Sequence, residues 1–315
     1  MAYQQMYYTQ AIGIMATHNR DNMKTFEKSF IKNQSAMEYL MTYGWSILIV
    51  AVVLGALSFL GVFNPLTFAP KATAGNCQVV KNAQLGVSNL VGSCNNQVPQ
   101  YVASLNGIDS NVNTTMYTNG TTALTISAWL YPQSNAASGG IGNLGSCPDG
   151  ANIEWRGNSF NIEYTMYPAD SSNSCANNQL NTSKTLSIKT WYFVTFVFNG
   201  TGGNLYLNGI SEDKNNPASA VNSIWGTRDL YVGRYYYGYF NGYISNVQVY
   251  NTSLSNSSVL MLYQEGIGGV PIDPKNIVAW YPLNGNANDY SGNQRNGIPT
   301  NLIYTNNWYN GYSQP

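Results

Sequence analysis

Residues 191–199 read Trp-Tyr-Phe-Val-Thr-Phe-Val-Phe-Asn, which is the composition of a buried β-strand because nearly every side chain is aromatic or β-branched. Asn-Gly at 199–200 follows as a turn, and residues 205–209 (Leu-Tyr-Leu-Asn-Gly) form a short strand that ends in a second Asn-Gly. Upstream, the stretch 123–131 alternates apolar and polar residues, as a strand with one buried face does. Its apolar positions are Leu124, Ile126, Ala128 and Leu130.

Short strands continue on both sides of these segments. Residues 152–155 and 160–167 predict a hairpin about Arg-Gly-Asn at 156–158, and residues 230–234 and 243–250 predict two further strands. Residues 255–265 favour a helix that Ser255 caps. Many short strands separated by Gly and Asn turns indicate a mainly β fold, an antiparallel β-sandwich over residues 98–315 with its main body at 98–266.

The order of three segments resembles the laminin G-like, concanavalin A-like jelly roll. They are ALTISAWLYP (123–132), WYFVTFVFNG with LYLNG (191–209) and FNGYISNVQVYNTSLSNSSVLMLY (240–263). The resemblance implies a β-sandwich of the kind that binds glycans or proteins at cell surfaces. A segment like residues 277–293 opens many such domains, whereas here it comes last. We therefore expect residues 277–315 to complete the same sandwich; a truncated second repeat is the alternative.

The N-terminal part of the chain has a different character. Residues 39–70 carry no charge, and residues 45–63 are almost all apolar. Nineteen helical residues rise roughly 28 Å, close to the thickness of a bilayer's hydrocarbon core. We expect a long hydrophobic helix over 34–64. Residues 1–33 hold four basic and two acidic side chains, which predicts a cytoplasmic leader with the rest of the chain outside.

Residues 32–40 (Lys-Asn-Gln-Ser-Ala-Met-Glu-Tyr-Leu) resemble the processing site of archaeal type IV pilins with a class III signal peptide. The resemblance implies cleavage between Asn33 and Gln34 by a prepilin peptidase, although the family usually has Gly or Ala where this chain has Asn33. It also implies that Glu38, at the fifth mature position, neutralises the new α-amine during assembly into a filament of its own copies by the pilus machinery. The alternative is an unpolymerised single-pass anchor, with Glu38 among the lipid headgroups.

Four cysteines lie in the part of the chain expected outside the membrane, where disulfides persist. Sequence proximity favours Cys77–Cys94, within a neck at residues 65–97, and Cys147–Cys175. Four free buried thiols are the alternative. Zinc is not expected, because no cysteine is in a CxxC motif and the only histidine is His18 in the leader.

The same lack of histidine after residue 33 removes a Ser-His-Asp arrangement, so we expect no enzyme. Glu154 and Glu163 lie in neighbouring predicted strands, and two carboxylates are what a glycosidase needs. An extracellular glycan-active enzyme is therefore a minor alternative. No cofactor is certain. Calcium is considered at the loop acids Asp109 and Asp289, which the sequence equally assigns to Asx-turns.

Charged residues make up 9% of the chain and no basic patch indicates nucleic acid. An aromatic-rich loop is a candidate glycan-binding rim, because aromatic faces stack on sugar rings; covering the edge of the sandwich is the equal alternative. Its residues are Trp225, Tyr235, Tyr236, Tyr237 and Tyr239. The sequence thus predicts a cell-surface filament subunit with an adhesive head for glycans or proteins. A membrane-anchored lectin-like protein is the second hypothesis.

Overall fold

The computed structural model describes a large part of the chain. The described residues are 41, 43–60, 62–63, 69–82, 84–95, 97–116, 121–135, 139–143, 150–167, 177–215, 223–224, 229–235 and 238–315. They form two compact units, Met1–Phe68 and Ala69–Pro315, and the segment predicted as a neck belongs from Ala69 onward to the second unit, here called the head.

In the first unit, residues 43–59 form helix α1, together with residue 41. Its apolar side chains are largely exposed, up to 92% for Phe59. The described helix is shorter than the predicted one over 34–64, of which residues 34–40, 42, 61 and 64 lie outside the described residues. In the part of the chain that the structure describes, no helix has both the length and the apolar character needed to cross a membrane.

The described residues of the head form 22 strands and one further helix, α2 (Asn256–Gln264). The strands are β1 (Lys71–Ala72), β2 (Cys77–Asn82), β3 (Val87–Gly92), β4 (Val98–Pro99), β5 (Val102–Asn106), β6 (Asn111–Asn113), β7 (Leu124–Pro132), β8 (Gly139–Asn143), β9 (Ala151–Arg156), β10 (Ser159–Tyr167), β11 (Asn177–Asn181), β12 (Tyr192–Phe198), β13 (Gly203–Leu207), β14 (Ile210–Asn215), β15 (Ser223–Ile224), β16 (Leu230–Val232), β17 (Arg234–Tyr235), β18 (Gly238–Tyr239), β19 (Asn241–Tyr250), β20 (Ile277–Tyr281), β21 (Ile298–Thr300) and β22 (Ile303–Thr305).

Two eight-stranded sheets form the sandwich. Sheet A has the order β14-β13-β12-β7-β19-β5-β22, with β20 also paired to β19. Sheet B has the order β11-β10-β9-β8-β16-β6-β21, with β15 also paired to β10. Every pairing within the two sheets is antiparallel, which confirms the predicted antiparallel β-sandwich.

The core lies between the sheets because successive strand residues point to opposite faces. Ile126 and Phe196 of sheet A, and Ile153 and Phe160 of sheet B, belong to one cluster of buried apolar side chains. Burying each of these large side chains stabilises the fold by about 1.5–3 kcal/mol.

Residues after 276 contribute to both sheets. β20 pairs with β19 in sheet A, β21 pairs with β6 in sheet B, and β22 pairs with β5 in sheet A. Further along, Trp308 is fully buried and its ring meets that of Trp191 edge-on, with centroids 6.2 Å apart. The C-terminal segment therefore forms part of both sheets and of an aromatic cluster.

The β2–β3 hairpin is fastened to the head by several bonds. A disulfide joins Cys77 to Cys94, as expected from their proximity. The Lys81 ammonium donates to the Ile277 carbonyl at 2.6 Å, and the Val79 amide donates to the Tyr290 carbonyl at 2.8 Å. The disulfide closes the hairpin itself, and the two hydrogen bonds hold the hairpin against the C-terminal segment.

Candidate functional site

The outward face of sheet B carries a continuous line of polar residues. On β9, Ile153 and Trp155 point into the core, so Asn152 and Glu154 point outward. The register places five further residues directly in line with Asn152 across neighbouring strands. In spatial order the line is Gln179, Glu163, Asn152, Gly142, Tyr231 and Asn113, and we call it the polar row.

Asn152 lies at the middle of the polar row and is fully buried. Within the described residues, neither its amide nitrogen nor its amide oxygen has a hydrogen-bond partner. A buried polar group left unbonded costs about 1–3 kcal/mol, so such groups are uncommon in folded proteins. Beside it, Gly142 provides the space for the amide, since a Cβ there would lie 2.0 Å from Asn152 Oδ1. The Asn152 amide is therefore a built hydrogen-bonding group that no described residue uses.

Glu163, the next residue in the row, is held by two donors. Gln179 Nε2 donates to Glu163 Oε1 at 3.2 Å, and the Tyr235 hydroxyl donates to Oε2 at 2.7 Å. Glu154 is also buried and faces the same side, two residue pairs along the ladder and diagonal to Glu163. The carboxylates of Glu154 and Glu163 thus lie on adjacent strands at the buried middle of the polar row.

The other end of the polar row is half-exposed and combines an amide, a charge and aromatic rings. Asn113 Nδ2 donates to both the Tyr231 hydroxyl and Asp229 Oδ2, at 3.1 Å each. The Arg234 guanidinium lies 5.8 Å from the Tyr231 ring centroid and 5.2 Å from that of Tyr239. Cation–π contact of this kind stabilises by about 0.5–1 kcal/mol at exposed sites and fixes both rings.

Comparison with known proteins finds one family model that matches part of the head. Residues 106–260 match the model Laminin_G_3, described as the concanavalin A-like lectin/glucanases superfamily. The head is a concanavalin A-like β-sandwich. No curated protein matches the chain at a significant level.

Several solved structures are similar to parts of this chain at low sequence identity. One is a Bacteroides ovatus protein described as carbohydrate-binding, 13% identical, with 70% of this chain covered, 66% of that chain covered and a TM-score of 0.47. Another is domain 4 of an extracellular arabinanase from Geobacillus stearothermophilus with arabinotriose, 15% identical, with 61% and 84% covered and a TM-score of 0.40. A third is the ligand-binding domain of botulinum neurotoxin serotype D with N-acetylneuraminic acid, 17% identical, with 61% and 45% covered and a TM-score of 0.41. The chain thus spans just under two thirds of the first of these proteins and less than half of the third.

The structure describes two of the five aromatic residues that the sequence predicts as a glycan-binding rim. Tyr235 is only 2% exposed, and its hydroxyl donates to Glu163 on the outward face of sheet B, so its ring offers little surface to a ligand; its glycan-binding role stays a prediction. Tyr239 is half-exposed beside Arg234. Trp225, Tyr236 and Tyr237 lie outside the described residues.

Sequence reasoning missed Asn152, Tyr231 and Asn113 as site residues. The alternation of polar and apolar residues in β9 could have marked Asn152 as outward-facing. No local signal connects it with Tyr231 and Asn113, because only the sheet register brings the three into one line.

The two aspartates considered for calcium are engaged by donors. Asp109 accepts from the side-chain amides of Asn106 and Asn301, at 2.7 and 2.6 Å. Asp289 accepts from Ser291 through both its backbone N–H and its hydroxyl, at 2.9 Å each, which is an Asx-turn. Calcium requires six to eight converging oxygens, so residues that present donors to these carboxylates do not fit it. Within the described residues, no group of three His, Cys, Asp or Glu side chains converges to hold a metal ion.

The remaining predicted sites are outside what the structure describes. Asn33, Gln34 and Glu38 of the processing site are among these residues, and so are Cys147 and Cys175. Cleavage and the second disulfide stay predictions.

Proposed function

We propose that the concanavalin A-like head binds carbohydrate along the polar row. The observation that carries this proposal is the buried Asn152 amide, which has both a donor and an acceptor to offer and no described partner. Sugar hydroxyls both donate and accept hydrogen bonds, so they match an amide of this kind. A few convergent polar groups beside aromatic rings are typical of small-ligand sites.

The ligand would enter the polar row at its half-exposed end, where Tyr231 and Asn113 lie. There the Tyr231 and Tyr239 rings, steadied by Arg234, offer flat apolar faces for a sugar ring. Asn113 and Asp229 lie beside them with amide and carboxylate oxygens. In the row, only Gly142, which has no side chain, lies between Tyr231 and Asn152.

Binding without hydrolysis is the activity we propose for this site. Glu163 already accepts hydrogen bonds on both carboxylate oxygens, and Glu154 is fully buried, so neither is presented to a glycosidic bond. An enzyme would need one carboxylic acid and one carboxylate flanking that bond. Release of reducing sugar from any polysaccharide by the purified chain would contradict this assignment.

A glycan array probed with the full-length chain in detergent tests carbohydrate binding. Affinity for the best ligand should fall about tenfold in Tyr231→Ala, since stacking contributes roughly 1 kcal/mol or more. Asn152→Ala should weaken the same ligand, whereas Asn89→Ala, on the exposed β3 strand, should leave it unchanged. Wild-type affinity in both row variants would reject the polar row as the binding face.

For the N-terminal unit we propose a type IV pilin-like role at the cell surface. Its support is the Gln34–Glu38 spacing ahead of an uncharged stretch, together with the exposed apolar side chains of α1, which need a covering of lipid or of other copies. The unpolymerised anchor is the competing assignment. Partners would be the prepilin peptidase, the pilus assembly machinery and other copies of the chain.

Mass spectrometry of the protein from its native membrane tests this role. The expected mature N-terminus is Gln34, and fibres seen by electron microscopy should be lost in Glu38→Ala but kept in Glu27→Ala, which changes a leader residue. An intact Met1 would overturn the pilin assignment and leave the anchored form.

A further inference from the structure

A cavity lies on the outer face of sheet A, beside the start of α2. Its volume is about 500 Å³, within the range of roughly 300–1,000 Å³ that small-molecule sites occupy. Its described lining residues are Val197, Asn199, Gly202, Gly203, Asn204, Tyr206, Lys214, Ser253, Leu254, Ser255 and Asn256. None of them is acidic, and Lys214 is the one charged residue among them.

The floor of this cavity is a fixed chain of hydrogen bonds. Tyr206 is 3% exposed, and its hydroxyl accepts from Asn204 Nδ2 at 2.8 Å and donates to Asn256 Oδ1 at 2.6 Å. Ser211 Oγ in turn donates to Asn204 Oδ1 at 2.9 Å. The side-chain oxygens of Asn204 and Asn256 are therefore already used by the protein.

Asn199, at the rim of the cavity, also has its side-chain oxygen occupied by the protein. Asn199 Oδ1 accepts from the Thr201 backbone amide at 3.0 Å, from the Thr201 hydroxyl at 2.9 Å and from the Gly202 amide at 2.9 Å. Its Nδ2 group has no partner in the described part of the chain, nor does Asn256 Nδ2. Because each of these amides has its oxygen occupied and its N–H₂ unused, both offer donors only.

Lys214 adds a positive charge to this set. Its side chain is exposed, and neither an ion pair nor a hydrogen bond of its ammonium occurs among the described residues. On β14 it lies opposite Asn204 in the ladder, so it shares the outward face that forms the cavity wall. Apart from the Ser253 hydroxyl, the unused side-chain capacity thus consists of donors around one uncompensated cation.

We propose that this cavity binds an acidic saccharide, with its oxyanion against Lys214 and the free amide groups of Asn199 and Asn256. A lining whose unused side-chain groups are mostly donors favours a ligand rich in acceptor oxygens, and a cation favours a negatively charged one. The volume greatly exceeds that of a single inorganic anion, so the oxyanion is carried on a polyhydroxylated body. This site is on the opposite sheet from the polar row and does not depend on carbohydrate binding there.

Isothermal titration calorimetry of the full-length chain in detergent tests the proposal with D-glucuronate, D-glucose and inorganic phosphate. D-Glucuronate should bind more tightly than either of the others. Lys214→Gln should weaken D-glucuronate at least about tenfold, as expected for loss of a charge-assisted bond. Lys184→Gln, a change of equal charge at an exposed residue outside the cavity, should leave affinity unchanged. Added salt should weaken binding to the wild type.

Three results would overturn the proposal. Equal loss in Lys184→Gln would mean that net charge, not the cavity, attracts the ligand. Phosphate binding as tightly as D-glucuronate would remove the sugar from the assignment. No heat of binding with D-glucuronate would refute the site itself, while the Tyr231→Ala measurement on sheet B would stand or fall separately.

Discussion

Single buried tyrosines make the head sensitive to alkaline pH. Tyr312 meets Trp129 and Trp308 edge-on, with ring centroids 5.3 and 5.7 Å away, and its hydroxyl accepts from the Ile267 backbone amide at 3.0 Å. Burial, the largest cause, raises the pKa of Tyr312 to about 12, from 10.0 in an exposed tyrosine. Tyr304 has its pKa raised to about 12 for the same reason.

The free energy of unfolding should therefore fall as pH rises from 10 to about 12. In that window the unfolded chain loses the Tyr312 proton while the folded chain keeps it, so the stability present below pH 10 is lost. The loss attributable to this residue is roughly 2 kcal/mol. Chemical denaturation of the wild type and Tyr312→Phe at several pH values measures it: the variant should show the shallower decline. Parallel declines would mean that the hydroxyl does not titrate in the way its burial implies.

At the scale of elements, a disulfide closes the β2–β3 hairpin, which among the described strands pairs with neither sheet of the sandwich. β2 and β3 pair only with each other, and Cys77–Cys94 closes a loop with a sequence separation of 17. Closing a loop of that size restricts the unfolded chain and stabilises the fold by about 3 kcal/mol.

Replacing both cysteines, Cys77→Ser with Cys94→Ser, should lower the free energy of unfolding by about that amount. Hydrogen exchange should rise first in β2 and β3, because they lose the covalent closure. The Ser93→Ala variant, beside Cys94 but outside the bond, serves as the control. Unchanged exchange in the hairpin would show that the Lys81 and Val79 bonds to the C-terminal segment suffice.

Elements were more accessible to sequence reasoning than the site they build. The apolar alternation at Leu124, Ile126, Ala128 and Leu130 was sufficient to predict β7, because that signal lies within one strand. Ser255 was also predictable as a helix cap, and its hydroxyl accepts from the Ser258 amide.

The polar row was not predictable in this way. It joins residues from β11, β10, β9, β8, β16 and β6, and part of its register is set by pairings over long sequence distances. Tyr235 shows the same limit: its hydroxyl donates to Glu163, 72 residues earlier in the chain, a contact that no local pattern predicts. What the sequence conveys poorly is which polar residues meet, since that is decided by pairing rather than by local pattern.

At the scale of the whole molecule, the last segment of the chain completes a sandwich begun much earlier. β20 pairs with β19 in sheet A, and its residues Ala279 and Tyr281 are fully buried. β21 pairs with β6, and β22 pairs with β5. The Tyr281 hydroxyl also donates to the Thr114 and Arg295 carbonyls, at 3.2 and 2.7 Å. The head therefore cannot complete its core until the segment from residue 277 onward has been synthesised.

A chain that ends at residue 276 should consequently fail to form a cooperatively folded head. It would expose the core contacts of Tyr281 and Trp308 and leave strand edges on both sheets unpaired, each large buried aromatic side chain alone being worth about 3–5 kcal/mol. Thermal unfolding followed by near-ultraviolet circular dichroism should show no sharp transition. A chain ending at Tyr312, which removes only the exposed residues 313–315, should melt like the full-length protein. A wild-type transition in the chain that ends at residue 276 would contradict this prediction. Residues 277–315 would then not be needed for the sandwich to fold, although β20, β21 and β22 pair with both of its sheets.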